Sequence, residues 1–220
     1  MKVTFEEIKK NPRLRTFITA ADKSLEKLGF TEHSFAHVTK VAEKAGEILE
    51  VLGYDDHTVE LAKIAGIMHD IGNLLNRVEH SQSGAVMAYS ILDGLGMPDE
   101  DIATIVTAIG NHDEGTGVAV NEVAAALIIA DKSDVRRSRV RNSDFSTFDI
   151  HDRVNYSVKE SKLVFSKDLK DIILKLEIDT QISSVMDYFE IFIQRMIMCR
   201  KAASELGLTF KLVINNQTLM

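Results

Sequence analysis

A set of histidine and aspartate side chains in this 220-residue sequence could form a metal site. Its most informative members are His69 and Asp70, which are adjacent. Imidazole and carboxylate together suit a borderline or hard divalent cation, such as Mn, Ni, Co, Zn or Fe. A cation held in this way can turn water into a nucleophile near neutral pH. The candidate ligands are His37, His69, Asp70, His80, His112 and Asp131.

The surroundings of two candidates support a buried site. His37 and Asp131 each stand within a run of apolar residues, where an unpaired charge would be costly. A carboxylate at Asp131 therefore needs a partner, and a cation is a suitable one. Neighbouring side chains on a helix point about 100° apart. His69 and Asp70 can therefore share an ion only if other helices close the site.

The elements that would position these residues are mainly helices. Apolar residues recur at helical spacing in five segments, and glycine or a capping side chain marks several of their ends. The predicted helices span residues 33–52, 56–71, 81–95, 99–110 and a segment that begins after Asn121 and carries Asp131.

The pattern changes after about residue 150. Alternation of apolar and polar residues predicts strands, and one long apolar face predicts a helix. The predicted elements are a strand at 163–165, a strand at 172–178, a helix at 181–206 and a strand at 208–214. We expect a mainly α protein, with a helical domain at 1–150 and a small α+β appendage at 151–220. The appendage is predicted to hold an antiparallel three-stranded sheet and the long helix.

Composition limits the classes of partner and compartment. The net charge of −7 argues against a dedicated nucleic-acid-binding protein. The longest strongly apolar run, 123–130, is too short to span a membrane, and the first residues lack the apolar core of a signal peptide. Cys199 is the one cysteine, so no intrachain disulfide can form, as in a reducing compartment. We expect a soluble cytoplasmic protein.

Three segments carry a family resemblance. They are His33-Ser34-Phe35-Ala36-His37-Val38-Thr39-Lys40-Val41-Ala42, Gly66-Ile67-Met68-His69-Asp70-Ile71-Gly72 and Ile129-Ala130-Asp131-Lys132. In this order they resemble the HD-domain superfamily of metal-dependent phosphohydrolases, over roughly residues 30–140. The resemblance implies a helical HD-type domain whose first metal is bound by His37, His69, Asp70 and Asp131.

The identity of the first ligand needs a choice between two histidines. His33 and His37 lie one helical turn apart and face the same way, so either could reach the ion. The family pattern has a valine four residues after the ligand, and Val41 follows His37 in this way. We therefore prefer His37 and assign His33 a neighbouring role.

Some branches of the superfamily hold two metals. The resemblance to those branches implies that Asp70 bridges two ions, with His80 and His112 on the second. Many branches have two consecutive histidines at the later point, whereas this chain has Asn111-His112. The number of ions per chain, one or two, stays open.

A basic cluster follows the last candidate ligand. Such a cluster is either a solvated helix end, with cations near the C-terminus, or a clamp for phosphate. We predict that Lys132 and Arg136 face a substrate phosphate, and Arg77 is a weaker candidate. The cluster consists of Lys132, Arg136, Arg137, Arg139 and Arg141.

The resulting functional hypothesis is a metal-dependent phosphohydrolase that uses metal-activated water, with His69 and Asp70 as catalytic residues. Its substrate would be a small, nucleotide-like phosphomonoester or phosphodiester. A dinuclear-iron oxygenase on the same scaffold is one alternative. The other is a metal-containing nucleotide-binding regulator without catalysis. In that case the last strand, with Leu208 and Phe210, could form a homodimer surface.

Overall fold

A computed structural model describes residues 3–220 of the chain. Within this range the chain forms nine α-helices and four β-strands. The helices are α1 (Phe5–Lys10), α2 (Pro12–Lys27), α3 (Phe35–Val51), α4 (Asp56–Met68), α5 (His80–Gly94), α6 (Asp99–Gly110), α7 (Glu122–Lys132), α8 (Ile150–Ser157) and α9 (Val185–Glu205). The strands are β1 (Val158–Phe165), β2 (Asp171–Ile178), β3 (Thr209–Ile214) and β4 (Gln217–Thr218).

Short polar side chains begin the helices that matter for the site. The Ser34 hydroxyl accepts a hydrogen bond from Ala36 N at the start of α3. Asn121 caps α7 in the same way, with its side chain accepting from Ala124 N. Such caps satisfy backbone N–H groups that have no partner inside the helix. The predicted mainly helical character is confirmed, and α6 and the start of α7 lie where the sequence indicates.

Helix α7 is the centre of the core. Residues 123–130 are at most 2% exposed, because α3, α4, α6 and α9 pack around them. Burying a large aliphatic side chain contributes about 1.5–3 kcal/mol, so this run anchors the fold. A single apolar cluster includes residues from the helices and from the sheet. The division at residue 150 stays a prediction.

The helix that carries His69 ends earlier than predicted. Helix α4 stops at Met68, His69 is its C-terminal cap, and a short 3-10 helix occupies Ile71–Leu74. Glycine at position 72 allows a close approach after this helix end, because a Cβ there would collide with the His80 carbonyl oxygen. The backbone of this turn thus packs directly against α5. Asp70 follows His69 at this helix end, and its backbone (φ −96°, ψ 3°) is outside the regular helical conformation.

Gly66 lets α3 and α4 approach closely just before the site. A Cβ at Gly66 would lie 2.5 Å from Ala42 Cα, which is backbone and cannot move aside cheaply. We expect Gly66→Ala to destabilise the fold by about 1–3 kcal/mol, the usual cost of overpacking. Gly94→Ala is the matched control, since a Cβ there would have no atom of residues 3–220 within 4 Å apart from its own stretch of helix. Thermal unfolding of both variants checks this, and equal melting temperatures would contradict it.

The predicted antiparallel three-stranded sheet is wrong in strand number and direction. The sheet has four strands in the order β1-β2-β3-β4. β1 pairs with β2 antiparallel, whereas β2 pairs with β3 in parallel, with Leu174 opposite Leu212. The reason is α9, which connects β2 to β3 and returns the chain to the same end of the sheet, as crossover helices do.

The fourth strand depends on a turn that the sequence analysis did not identify. Asn215 and Asn216 both adopt positive φ angles, of 49° and 65°. Consecutive left-handed residues are typical of tight hairpin turns, and asparagine tolerates them. β4 then pairs with the end of β3, with Val213 opposite Thr218.

Across residues 3–220, no helix is both long and apolar enough to cross a membrane.

Candidate metal centre

Three helical segments bring four predicted ligands to one point. His37 lies in the first turn of α3, His69 caps α4, Asp70 follows it, and Asp131 is near the end of α7. His37 Nε2 is 3.3 Å from Asp131 Oδ1 and 3.6 Å from Asp70 Oδ2. His69 Nε2 is 3.2 Å from Asp70 Oδ2 and 3.6 Å from Asp131 Oδ1. Two imidazole nitrogens and two carboxylate oxygens therefore face each other.

The polar atoms of this group need a partner. Among the described residues, His37 Nε2, His69 Nε2 and Asp70 Oδ2 are buried without a hydrogen bond. Buried polar atoms are rarely left in this condition, because the loss of hydration is costly. Nitrogen and oxygen donors at these separations fit a divalent cation, which would satisfy all three atoms. The cluster is thus capable of binding metal.

The second nitrogens of the same histidines support this reading. His37 Nδ1 is 2.8 Å from Asp134 Oδ2, and His69 Nδ1 is 2.7 Å from the Gly66 carbonyl oxygen. Both acceptors lack a hydrogen to give, so each Nδ1 carries the proton and donates it. With a cation bound, each Nε2 would then present its lone pair to the centre of the group. This is the orientation that outer partners impose on metal-binding histidines.

His80 and His112 form a second group around the other oxygen of Asp70. His80 Nε2 is 3.5 Å from Asp70 Oδ1 and 3.1 Å from His112 Nε2. His112 Nδ1 donates to the Ile109 carbonyl oxygen at 2.6 Å. Burial, assisted by the charge of His69, holds the pKa of His112 well below its usual range, so its Nε2 has a free lone pair. Asp70, His80 and His112 could hold a second ion, and Asp70 would bridge the two.

The electrostatics of the cluster also call for a cation. Burial lowers the pKa of His69, but the carboxylates of Asp70 and Asp131 outweigh burial and raise it to about 10. Burial opposes ionisation of Asp70 as well, yet His69 holds the pKa of that carboxyl well below its usual range. Lys132 does the same for Asp131. Without a metal, the two carboxylates thus draw a proton to the place that a cation would take.

A cavity of about 390 Å³ opens beside the cluster. Asp70, His80 and Asp131 form part of its wall, so the cluster is reached from the cavity. His33 also lines the cavity, and its Nδ1 is 2.6 Å from the Thr31 carbonyl oxygen. His37 is not among the described residues that line the cavity. The cations on its wall are Arg77, Lys132, Arg139 and Arg195.

The two predicted phosphate-binding residues lie in different places. Lys132 lines the cavity, with Nζ 2.9 Å from Asp131 Oδ2. Arg136 is not on the cavity wall, because its guanidinium pairs with Asp134 and Glu32, each at 3.0 Å. Arg139 lies on the wall in its place, and its Nε donates to the Glu32 carbonyl oxygen.

Two functional candidates were not identified from the sequence. Asp134 orients His37. The signal for Asp134 in the sequence is that it lies three residues after Asp131. Arg195 reaches the cavity from α9, far away in the sequence, and no local pattern indicates this.

Comparisons with known proteins identify the family of this chain. The family model of the HD domain matches residues 34–190. An uncharacterized protein of Methanocaldococcus jannaschii is 24% identical in an alignment 163 residues long, which covers 64% of this chain and 62% of that protein. This chain thus spans less than two thirds of that relative. A solved structure, described as a predicted HD superfamily hydrolase from an uncultured Thermotogales bacterium, is 27% identical with a TM-score of 0.43. The match covers 60% of this chain and 73% of the chain in that structure. The match to the family model extends over more than half of the sequence, and this chain therefore belongs to the HD domain family.

Proposed function

We propose that the protein is a metal-dependent phosphohydrolase that cleaves a small phosphate ester by metal-activated water. The observation that carries the proposal is the position of the histidine–aspartate cluster. Its buried atoms without partners lie next to a cavity whose wall carries four cationic side chains. Structural metal sites are closed, whereas catalytic sites keep a position open to substrate. The open cavity therefore favours catalysis over a purely structural metal.

The residues would divide between two ions. His37, His69, Asp70 and Asp131 would hold the first, and Asp70 with His80 and His112 would hold the second. When bound, such ions lower the pKa of water and stabilise the charge that develops on the phosphoryl oxygens.

The protein's own side chains would bind and orient the phosphate. Lys132 is 3% exposed and its ammonium remains charged, since Asp131 and Glu114 offset the effect of burial and raise its pKa. Arg139 is fixed by two backbone carbonyl groups, those of Glu32 and Asp134. A fixed guanidinium can bind phosphate through two parallel hydrogen bonds. These side chains would hold the ester with its phosphorus towards Asp70 and Asp131.

The size of the cavity limits the substrate. Ligand sites usually have volumes of about 300–1,000 Å³, so a cavity of about 390 Å³ is at the small end. A compact ester of nucleotide-monophosphate size fits this range, whereas a polymer would have to remain largely outside.

A phosphate-release screen tests the proposal. The protein would be loaded with Mn, Ni, Co, Zn or Fe and assayed on a panel of phosphomonoesters and phosphodiesters. We expect turnover of at least one class, and loss of that turnover in Asp131→Asn. His57→Gln serves as the control, because His57 pairs with Asp101 away from the cluster and should leave turnover unchanged. No release with any metal would refute the proposal.

The same candidate ligands also support a second candidate function. Four histidines and two aspartates around two positions also suit a pair of irons. A dinuclear-iron oxygenase is therefore the second proposal, and substrate-dependent oxygen uptake by the iron-loaded protein would favour it. The cations on the cavity wall favour phosphate chemistry.

Asp134 provides a test of metal affinity. Its carboxylate accepts the Nδ1 proton of His37, and burial does not prevent its ionisation because His37 and nearby cations lower its pKa. Loss of such an outer partner usually costs about 10- to 100-fold in metal affinity, and we expect this for Asp134→Asn. Asp101→Asn is the matched control, since it removes the carboxylate from the remote His57. Titration with metal checks the prediction, and unchanged affinity in a folded variant would contradict it.

A further inference from the structure

The long helix α9 forms one side of the cavity. Phe192 and Arg195, one turn apart on α9, lie on the wall together with Asp70 and Asp131. The C-terminal part of the chain therefore contributes directly to the surroundings of the metal cluster. α9 also packs along α7, the helix that carries Asp131.

Arg195 is held at the cavity by two contacts. Its Nε is 2.6 Å from Glu114 Oε1, and its guanidinium carbon lies 4.7 Å from the centre of the Phe192 ring. Stacking on an aromatic ring and pairing with a carboxylate fix the plane of the guanidinium. The contact with Glu114 is made by Nε, and the ion pair of Arg195 within residues 3–220 involves neither of the two Nη groups. The N–H groups of both Nη atoms can therefore donate hydrogen bonds to a ligand in the cavity.

Glu114 links Arg195 to the metal cluster. The same Oε1 atom is 3.4 Å from Lys132 Nζ, and Lys132 Nζ is 2.9 Å from Asp131 Oδ2. The loop that carries Glu114 is packed against α9, because a Cβ on Gly117 would lie 2.5 Å from Met198 Cε. The carboxylate of Glu114 thus holds the charged groups of Lys132 and Arg195 next to each other.

We infer that Arg195 is a substrate-binding residue that, together with Lys132, makes the site select phosphomonoesters over phosphodiesters. This inference rests on the proposed function. A monoester phosphate carries up to two charges on three terminal oxygens, whereas a diester carries one charge on two. A lysine and an arginine next to each other, with Arg139 on the same wall, match the larger charge and the extra oxygen. The cavity size also suits a phosphate with a single substituent.

Kinetics of Arg195 variants test the inference. We expect Arg195→Gln to raise KM for the monoester by about 10- to 100-fold, the effect of losing a charge-assisted hydrogen bond. kcat should change less, and the preference for monoester over diester should shrink. Arg195→Lys should restore part of the loss, as should added guanidinium ion with Arg195→Gln. Arg200→Gln, on the exposed side of the same helix, should behave like the wild type.

A double variant separates substrate binding from neutralisation of Glu114. If Arg195 served only to balance Glu114, then Glu114→Gln with Arg195→Gln would recover the wild-type KM. The inference instead predicts that KM stays raised in the double variant. Metal content and melting temperature are measured in each variant to show that the cluster and fold are retained. Recovery of KM, or an unchanged KM in Arg195→Gln, would overturn the inference.

Binding of inorganic phosphate tests the role of Arg195 without a measurement of turnover. Calorimetric titration of the metal-loaded protein should show weaker phosphate binding in Arg195→Gln than in Arg200→Gln. If the wild type hydrolyses no ester, the proposed function fails, and the phosphate titration still decides whether Arg195 binds the anion. Equal affinities in the two variants would refute the role of Arg195.

Discussion

Phosphate release by Asp70→Asn is expected to fall by about 10³-fold, the scale of losing one preorganised electrostatic contact in an active site. The physical reason is that each oxygen of Asp70 faces a different histidine. Oδ2 lies 3.2 Å from His69 Nε2, and Oδ1 lies 3.5 Å from His80 Nε2. Asparagine has nearly the same shape but offers one neutral oxygen. It could not bridge two cations, so the bound metal should fall together with the activity.

The asparagine variant is preferable to alanine because it keeps the volume of the buried side chain. Asn73 donates to Asp70 Oδ1 at 2.9 Å, and an amide oxygen can accept the same bond. Asp168→Asn, in the exposed turn between β1 and β2, is the control for a loss of carboxylate elsewhere. Steady-state kinetics, circular dichroism and metal content are measured on all three proteins. Full activity in a folded Asp70→Asn would exclude this cluster as the active site.

Removal of metal is expected to lower the melting temperature substantially. A ligand that binds only the folded state stabilises it by about 4 kcal/mol when its concentration is a thousand times Kd. For a chain of this size, that corresponds to about 8–16 °C. The expectation follows from His37 Nε2, His69 Nε2 and Asp70 Oδ2, which make no hydrogen bond within the described structure. A proton drawn to His69 compensates the two carboxylates less fully than a divalent cation does.

Two variants define the origin of this thermal shift. His57→Gln should respond to chelator as the wild type does, since His57 pairs with Asp101 and not with the cluster. Asp131→Asn should respond little, because one oxygen that faces His37 and His69 would no longer carry charge. Differential scanning fluorimetry with and without chelator gives the comparison. Identical melting temperatures of the wild type in both conditions would contradict a bound metal that is coupled to folding.

The candidate ligands could be predicted because their signals are local. Helical spacing and polar residues within apolar runs indicated His37 and Asp131, and the adjacent His69 and Asp70 completed the motif. The structure brings all six candidates together, but it does so by a device that periodicity misses. Helix α4 ends at Met68 with His69 as its cap, and glycine at position 72 lets the following turn pack against α5, the helix that carries His80.

The parts that could not be predicted depend on tertiary packing. Strand direction in the sheet follows from where α9 returns the chain, and alternation of apolar residues carries no information about that. Arg136 belongs to the basic cluster in the sequence, yet Asp134 and Glu32 hold it away from the cavity. Arg195 joins the cavity only because α9 packs on α7. The Asn215-Asn216 turn differs from these cases, because two consecutive asparagines are a local signal for a tight turn.

The number of divalent metal ions per chain tests the account most directly. Elemental analysis would be made on protein purified without added metal or chelator, and again after reconstitution. We predict two ions per chain in the wild type and a clear loss in Asp70→Asn, with Asp168→Asn unchanged. Manganese, nickel, cobalt or zinc would favour hydrolysis, whereas two irons would favour the oxygenase proposal. A wild-type protein that binds no metal even after reconstitution would contradict the central claim.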